Sequence, residues 1–236
     1  MRNDYNEDFF EKIDSEEKAY WLGFICADGY INKRGNTVGI CLDKSDEDHL
    51  KKFLRCLKSD ENRLNYRTGR FDENYKITEK VTTELYSRKM SKDLSNLGIT
   101  IDKSKTLGKI NVSKDLINHF IRGYFDGDGC VFESFMKSKK EKPYYSPGFT
   151  FVGTKEFLTF INKFLPFQIK NLIHDKRTKG SYTLYIRSQK RFKIVEQFLY
   201  NNSSIYLDRK KEKCEKIKNK LNSSSEIIPE MGVQLK

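Results

Sequence analysis

The sequence lacks the arrangements by which many enzymes disclose their chemistry. Its five cysteines, Cys26, Cys41, Cys56, Cys130 and Cys214, contain no C-x-x-C pair. That excludes the common zinc-site spacing and favours reduced thiols over a disulfide frame. The three histidines, His49, His119 and His174, share no metal-ligand spacing, which disfavours a histidine-metal nuclease and leaves each ring a core or solvated role. Neither G-x-x-x-x-G-K-[ST] nor G-x-G-x-x-G is present, so no glycine loop is available to cradle nucleotide phosphates. The longest apolar run, YWLGFICA, is far too short to span a bilayer. The first residues, MRNDYNEDFFEKIDSEE, are acidic and polar, unlike a secretory signal or a transit peptide. The expectation is a chain of the cytoplasm or an organelle matrix with no membrane partner.

What the sequence has in excess is positive charge. Forty-five Lys and Arg against 33 Asp and Glu leave a formal +12 over 236 residues. Such a surplus favours nucleic acid or another anionic surface as partner, although a lysine-rich surface kept for solubility gives the same figure. The hydrophobic fraction of 37%, with 13% aromatics, is enough to build a core and argues against wholesale disorder.

The organising feature is a repeat. AYWLGFICADGY (19–30) and HFIRGYFDGDGC (119–130) each read as an apolar helix stopping on an acid and a glycine, with Asp28 and Asp128 one hundred positions apart. That period is too long for a solenoid and suits a duplicated domain. After each motif the order of segments is the same. In the first half, Tyr30–Lys33 and Val38–Leu42 alternate as a hairpin around RGN, and Leu50, Phe53, Leu54 and Leu57 fall at helical spacing. Further strand follows in NRLNYRTGRFDENYKI and TTELYS, then a helix, SKDLSNLGI, closed by Gly98. In the second half, Cys130–Met136 and Phe149–Val152 form the hairpin around a longer basic loop, KSKKEKPYYSPG. Phe157, Leu158, Ile161 and Leu165 supply the helix, a second hairpin turns near Lys179-Gly180, and RFKIVEQFLY closes the unit. LYSRKMSKDLSNL aligns with YIRSQKRFKIVEQFL at an offset of 101, placing Lys89 opposite Lys190. The reading is an α+β protein of two pseudo-symmetric αββαββα repeats: residues 1–110, residues 111–221, and a flexible tail over 222–236.

Each motif helix carries small residues four apart, Gly23 with Ala27 and Gly123 with Gly127. Residues at that spacing share a helix face, and a glycine inside a helix costs roughly 0.5–1 kcal/mol against alanine. Two helices bearing that cost on matching faces are expected to cross closely. Asp28 and Asp128 then sit at helix C-termini, where the macrodipole disfavours an anion by roughly 0.3–1 kcal/mol. Gly29 and Gly129 are read as the left-handed residues that end the helices. Side by side, the acids would repel by about 4 kcal/mol at ~4 Å and an effective dielectric of ~20. Folding gains nothing from this, whereas Mg²⁺ favours carboxylate oxygens together with water and phosphate oxygens. Asp126 has Cys26 as its counterpart, so a symmetric chemistry has no use for it and a hydrogen-bonding or solvated role is expected.

WLGFICADG (21–29) and IRGYFDGDG (121–129), with SKT after the first repeat and IYLDRK after the second, resemble the paired motifs of LAGLIDADG homing endonucleases over roughly residues 15–215. The resemblance implies a monomer with pseudo-twofold symmetry. Its motif helices form the central interface, and two antiparallel sheets form a DNA-binding saddle. It implies an intron-homing enzyme that cuts both strands of a double-stranded DNA target across the minor groove, leaving short 3′ overhangs. Two or more Mg²⁺ ions would be held by Asp28 and Asp128, with Gly29 and Gly129 beside them. Lys89 and Lys190 are taken as the catalytic basic residues near the ends of the fourth strands, with Arg88 and Arg187 near enough to exchange roles with them. Arg122, at the second motif position, departs from the pattern in the packing and not in the acids.

DNA contacts are expected from the strands. In the first half they are Asn32, Lys33, Arg34, Arg63, Asn65, Arg67, Arg70 and Lys76. In the second half they are Lys137, Lys139, Lys142, Lys170, Lys176, Arg177, Tyr182 and Arg187. The competing readings are a maturase binding its host intron RNA and a non-catalytic DNA-binding protein on the same scaffold. Intein splicing is not expected, because the sequence starts at Met1 and ends VQLK without a His-Asn pair, and the tail after Leu221 is short for an added helix-turn-helix.

Overall fold

The first helix, α1 (Glu16–Asp28), starts where Ser15 caps it, the hydroxyl accepting from Lys18 N at 3.3 Å, with Glu16 and Glu17 in the first turn favouring the positive end of the helix dipole. Every residue from Ala19 to Ala27 is buried. A helix apolar on all sides needs neighbours on all sides. The computed structural model, which describes residues 4–70, 77–136, 144–176 and 178–223, supplies them from the second repeat and from the first repeat's own sheet.

After α1 the chain enters β1 (Gly29–Ile31) and β2 (Thr37–Asp43), then α2 (Glu47–Cys56), β3 (Leu64–Arg70), β4 (Ile77–Tyr86) and α3 (Arg88–Asn96). A four-residue helix, α4 (Lys103–Thr106), leads to the second motif helix, α5 (Ile117–Asp128). The second repeat continues with β5 (Cys130–Phe132), β6 (Phe135–Met136), β7 (Tyr144–Tyr145), β8 (Gly148–Gly153), α6 (Lys155–Asn162), β9 (Ile173–His174), β10 (Tyr182–Arg187), α7 (Gln189–Tyr200) and α8 (Asp208–Ser223). The two four-stranded sheets are antiparallel and share one topology, β1-β2-β4-β3 and β5-β8-β10-β9. Alternation decides their faces. Val38, Ile40 and Leu42 of β2 and Val81 and Leu85 of β4 turn inward onto the core. Cys41, Asp43 and Glu84 turn outward and are exposed. No helix among the described residues is long and apolar enough to cross a membrane.

The halves join where α1 crosses α5. A Cβ added to Gly23 would land on the carbonyl oxygen of Phe120, and one added to Gly123 on that of Tyr20. Tyr20 and Phe120 occupy matching places in the two motifs, so the contact is reciprocal about a twofold axis. A Cβ on Gly127 would collide with that of Ala27. The glycines expected to mark a close crossing do mark it. Arg122, also at this interface, is fully buried and fully engaged. It donates to Ile205 O (2.9 Å), Leu199 O (3.0 Å) and Glu16 Oε1 (2.6 Å), and lies 2.9 Å from His119 Nδ1. Glu16 also accepts from Ser204 N at 2.8 Å, so this departure from the motif binds the start of α1 to the chain before α8.

Three local expectations need correction. Gly29 (φ −81°, ψ 169°) and Gly129 (φ −82°, ψ 161°) are extended, not left-handed. Each helix runs straight into a strand, and glycine is needed because a Cβ would strike Ile25 or Phe125 one turn back. Cys130–Met136 is not one strand. It breaks after Phe132, and β6 pairs with β7 as a separate ribbon, pinned by Ser146 N donating to Ser134 O at 2.7 Å. Residues 222 and 223, expected in the tail, belong to α8, which runs to Ser223, and residues 224–236 lie outside the described residues. Gly98 (φ +108°) and Gly180 (φ +82°) do supply the left-handed turns expected of them.

Gly123→Ala should destabilise the protein by about 3 kcal/mol or more, because backbone faces the new methyl and cannot give way. Gly35→Ala, at φ +64° with open space around it, should cost only about 1 kcal/mol. Urea unfolding of both variants checks the contrast.

Candidate active site

The crossing carries both motif acids to one place. The Asp28 carboxylate lies over Gly127, 3.2 Å from where a Cβ on that glycine would stand, one residue short of Asp128. Burial pushes the pKa of both carboxyls up. Asp28 also feels the negative charge of Asp128 and rises from 3.8 to about 6, against the pull of Lys210, Lys103 and Arg209. Asp128 is raised too, with Lys103 and Lys210 opposing. Two desolvated acids at one helix crossing are a costly arrangement, relieved only by positive charge.

Two lysines provide that charge within the chain. Lys103, the first residue of α4, donates to the carbonyls of Cys26 (3.0 Å) and Ala27 at the end of α1. Lys210, in the first turn of α8, donates to Phe125 O (2.7 Å), Gly127 O (3.0 Å) and Gly129 O (2.6 Å) at the end of α5. Each ammonium thus sits on the negative pole of one motif helix. Burial lowers both pKa values, that of Lys210 to about 8. Beside the acids opens a cavity of about 420 Å³, lined by Asp128, Lys103, Cys26, Tyr124 and Val152 among others.

The donor set suits a hard divalent cation. It offers two carboxylates and neighbouring main-chain carbonyls, and the described residues contain no cluster of three His, Cys, Asp or Glu. A cation held this way would keep most of its shell for water or phosphate oxygens, as Mg²⁺ does. The Gly129 carbonyl, in the segment expected to enter the metal shell, is taken by Lys210.

Lys89 and Lys190 stand on helices, not on strands. The strands before them end at Tyr86 and Arg187, and Ser87 and Ser188 then cap α3 and α7, accepting from Met90 N and Arg191 N. Both lysines become first-turn helix residues. Lys89 Nζ is held by Asp8 (3.0 Å), Glu11 (2.6 Å) and Asp93 (2.9 Å), and Lys190 is exposed. Neither is among the groups whose charge moves the two acids. The alignment at offset 101 was real, but it matched helix starts rather than strand ends. A different signal pointed to the lysines that do face the acids. Asp102-Lys103 and Asp208-Arg209-Lys210 each open a helix soon after the last matched helix of a repeat, α3 or α7, ends.

Asp126 has the hydrogen-bonding role expected of it. It is fully buried and accepts from Tyr20 OH, Tyr200 OH and Leu207 N, each at 2.8 Å. Leu207 N–H precedes α8, so Asp126 docks the helix that carries Lys210. Arg209 completes the docking with two nitrogens on Asp46 of the first repeat, at 2.8 and 2.9 Å.

Of the strand residues expected on DNA, Lys33, Arg34, Asn65, Arg67, Lys170 and Lys176 are exposed. Asn32 is consumed by its turn, accepting from Asn36 N and Thr37 N and donating to Asn36 Oδ1 and Thr37 Oγ1. Arg63 pairs with Asp4 and covers the Tyr5 ring. Tyr182 lies against His174, and Arg187 donates to Ser134 Oγ at 2.8 Å. Arg70 ends β3. Lys76, Lys137, Lys139, Lys142 and Arg177 lie outside the described residues.

Comparison with known proteins gives three kinds of likeness. A family model described as "LAGLIDADG-like domain" matches residues 15–62 and 115–199, more than half of the chain. Among solved structures, the I-LtrWI LAGLIDADG homing endonuclease bound to target DNA has a TM-score of 0.61 at 13% identity, covering 94% of this chain and 92% of its own. The I-SmaMI LAGLIDADG homing endonuclease bound to cleaved DNA gives 0.57 at 12%, with 92% and 93% covered; the same endonuclease was also solved on uncleaved target with calcium ions, at a TM-score of 0.54 and 13% identity, with 92% and 95% covered. A curated relative, DNA-directed RNA polymerase subunit Rpo1C of Methanocaldococcus jannaschii, is 26% identical over 224 residues, 91% of this chain. The chain spans about a quarter of that subunit's length, at 23%.

The raised acids make a prediction about stability. A carboxyl at about 6 in the folded state and 3.8 unfolded binds more proton when folded, so stability falls as pH rises from about 4 to above 6. With chelator present at pH 7, Asp28→Asn should therefore be more stable than the unaltered chain by about 3 kcal/mol. The difference should shrink towards pH 4. Denaturant melts at the two pH values measure it.

Proposed function

This chain belongs to the LAGLIDADG-like domain family, and from that membership we propose that it is a site-specific, Mg²⁺-dependent DNA endonuclease of the homing type. The observation that carries the proposal is the pair of desolvated carboxylates at the twofold crossing, each faced by a buried lysine. A binding module gains nothing from two acids held against their own repulsion. Hydrolysis of two phosphodiesters does.

In this reading Asp28 and Asp128 would hold the divalent cations that cleavage requires. When bound, such cations lower the pKa of water, align the phosphate and neutralise charge on the leaving oxygen. Lys103 and Lys210 leave their carbonyl partners for the phosphate as DNA arrives, and stabilise the charge that grows during cleavage. Lys210, already brought down to about 8 by burial, can also carry a proton near neutral pH. Lys89 and Lys190 have no part in the reaction. The outward sheet faces, with Lys33, Arg34 and Arg67 in one half and Lys170 and Lys176 in the other, follow the duplex as a monomeric saddle. The two cuts fall across the minor groove and leave short 3′ overhangs.

Asp28→Asn or Asp128→Asn should abolish double-strand cutting in Mg²⁺ while DNA binding survives, measured on products from a randomised duplex library. Retained cutting in either variant would overturn the assignment of the acids. Lys103→Met and Lys210→Met should each slow cutting by roughly 10²–10³-fold. Binding should fall steeply with salt, with a log–log slope near −7 for ~8 neutralised phosphates.

A further inference from the structure

Among the described residues, the outward face of the first sheet carries a carboxylate of the wrong sign for its partner that no basic side chain pairs. Glu84 of β4 is exposed there, in register with Gly39 of β2, which in turn pairs with Tyr30 of β1. The three residues form a row across three strands. The Tyr30 ring lies over Gly39, where a Cβ would strike it, and its hydroxyl donates to Glu84 Oε1. That bond orients the carboxylate and leaves Oε2 open. Among the described residues no lysine or arginine forms an ion pair with Glu84, although Asp43 and Glu79 on the same strands pair with Lys80 (3.7 Å) and Lys44 (3.2 Å).

An uncompensated carboxylate repels phosphate, and on a face that receives DNA it weakens every non-specific complex. It is compatible with tight binding only over a base edge that offers a donor. In the major groove that donor is the exocyclic amino group, and a carboxylate pairs best with N4 of cytosine. The second repeat has no equivalent. At the offset of 101 that aligns the helix caps, Tyr185 stands where Glu84 does, stacked on Phe132 at 5.1 Å and carrying no charge. The charge there is Arg187, of opposite sign and two residues further along its strand, near both rings of the stack at 5.9 Å from Phe132 and 5.5 Å from Tyr185.

Resting on the nuclease reading, we propose that Glu84 is a specificity-determining residue that reads a cytosine in the half-site under the first repeat alone, so that the target is not palindromic at that position.

The experiment selects duplexes from a randomised library with the full chain, in Ca²⁺ to retain uncut DNA, and compares the unaltered chain with Glu84→Gln and Tyr30→Phe. The unaltered chain should show a cytosine preference at one position of one half-site, without its mirror image in the other. Glu84→Gln should lower that preference at least tenfold, shift it towards adenine, whose N7 and N6 suit an amide, and raise affinity for unrelated duplex several-fold. Tyr30→Phe, which removes the bond and keeps the charge, should leave cytosine preferred. If Glu84→Gln binds with an unchanged base preference at every position, or if both variants only lower the melting temperature, Glu84 merely pins the strands and the inference is overturned. If the unaltered chain retains no duplex, it is the nuclease reading that fails, and the inference fails with it.

Discussion

Everything in this molecule depends on how near two helices can come. Gly23 and Gly123 each rest on a carbonyl oxygen of the other helix, and at that distance no side chain larger than hydrogen fits. Close approach fixes the rest of the geometry. It brings the C-terminal ends of α1 and α5 together, turns Asp28 onto Gly127, and starts two sheets from neighbouring points. It also explains why both helices are buried on nearly every side, since one side of each meets its twin and the other meets a sheet. The acids and the interface are therefore not separable features. The same contact that assembles the core forces the carboxylates into each other's field.

That field is balanced by groups from outside the motifs. Lys103 comes from the short helix after α3 and Lys210 from the helix after α7. The two lysines are anchored very differently. Lys103 rides on a helix of four residues, whereas Lys210 belongs to a helix tied down by Asp126, by Asp46 through Arg209, and by Lys52 through Asp208 at 2.8 Å. The symmetry of the acids is close, and that of their support is not. Asp126 and Cys26 show the same divergence in one aligned pair: a buried carboxylate with three donors faces, in the other repeat, a buried thiol.

Much of the architecture was legible because it is periodic. Apolar spacing, alternation and left-handed glycines are local signals, and the helices, most strands and the turns at Gly98 and Gly180 follow from them. The acids were legible because both stand at matching ends of matching motifs. Lys89 and Lys190 misled because a conserved spacing between repeats reports equivalence and not location. Two serine caps decide that these lysines begin helices, and a cap is a hydrogen-bonding choice that residue spacing does not reveal. Lys103 and Lys210 were obscured for the opposite reason: they lie in unlike contexts, so the comparison between repeats gave them no weight. Basic and amide side chains on strands mark DNA contacts in a sequence, a mark that a carboxylate such as Glu84 does not carry, whereas Asn32 and Arg63 carry it although local bonds already occupy them.

The electrostatic order around the acids has a final implication. Lys103 holds the carbonyls of its own motif helix, yet it also lines the cavity beside Asp128 of the other, and each acid feels the charge of both lysines. The support is shared. A solitary repeat would then lack one of the two counter-charges that face its acid. Joining the copies in one polypeptide ensures that they always meet in equal number, and under that guarantee each is free to drift in everything except the seam between them.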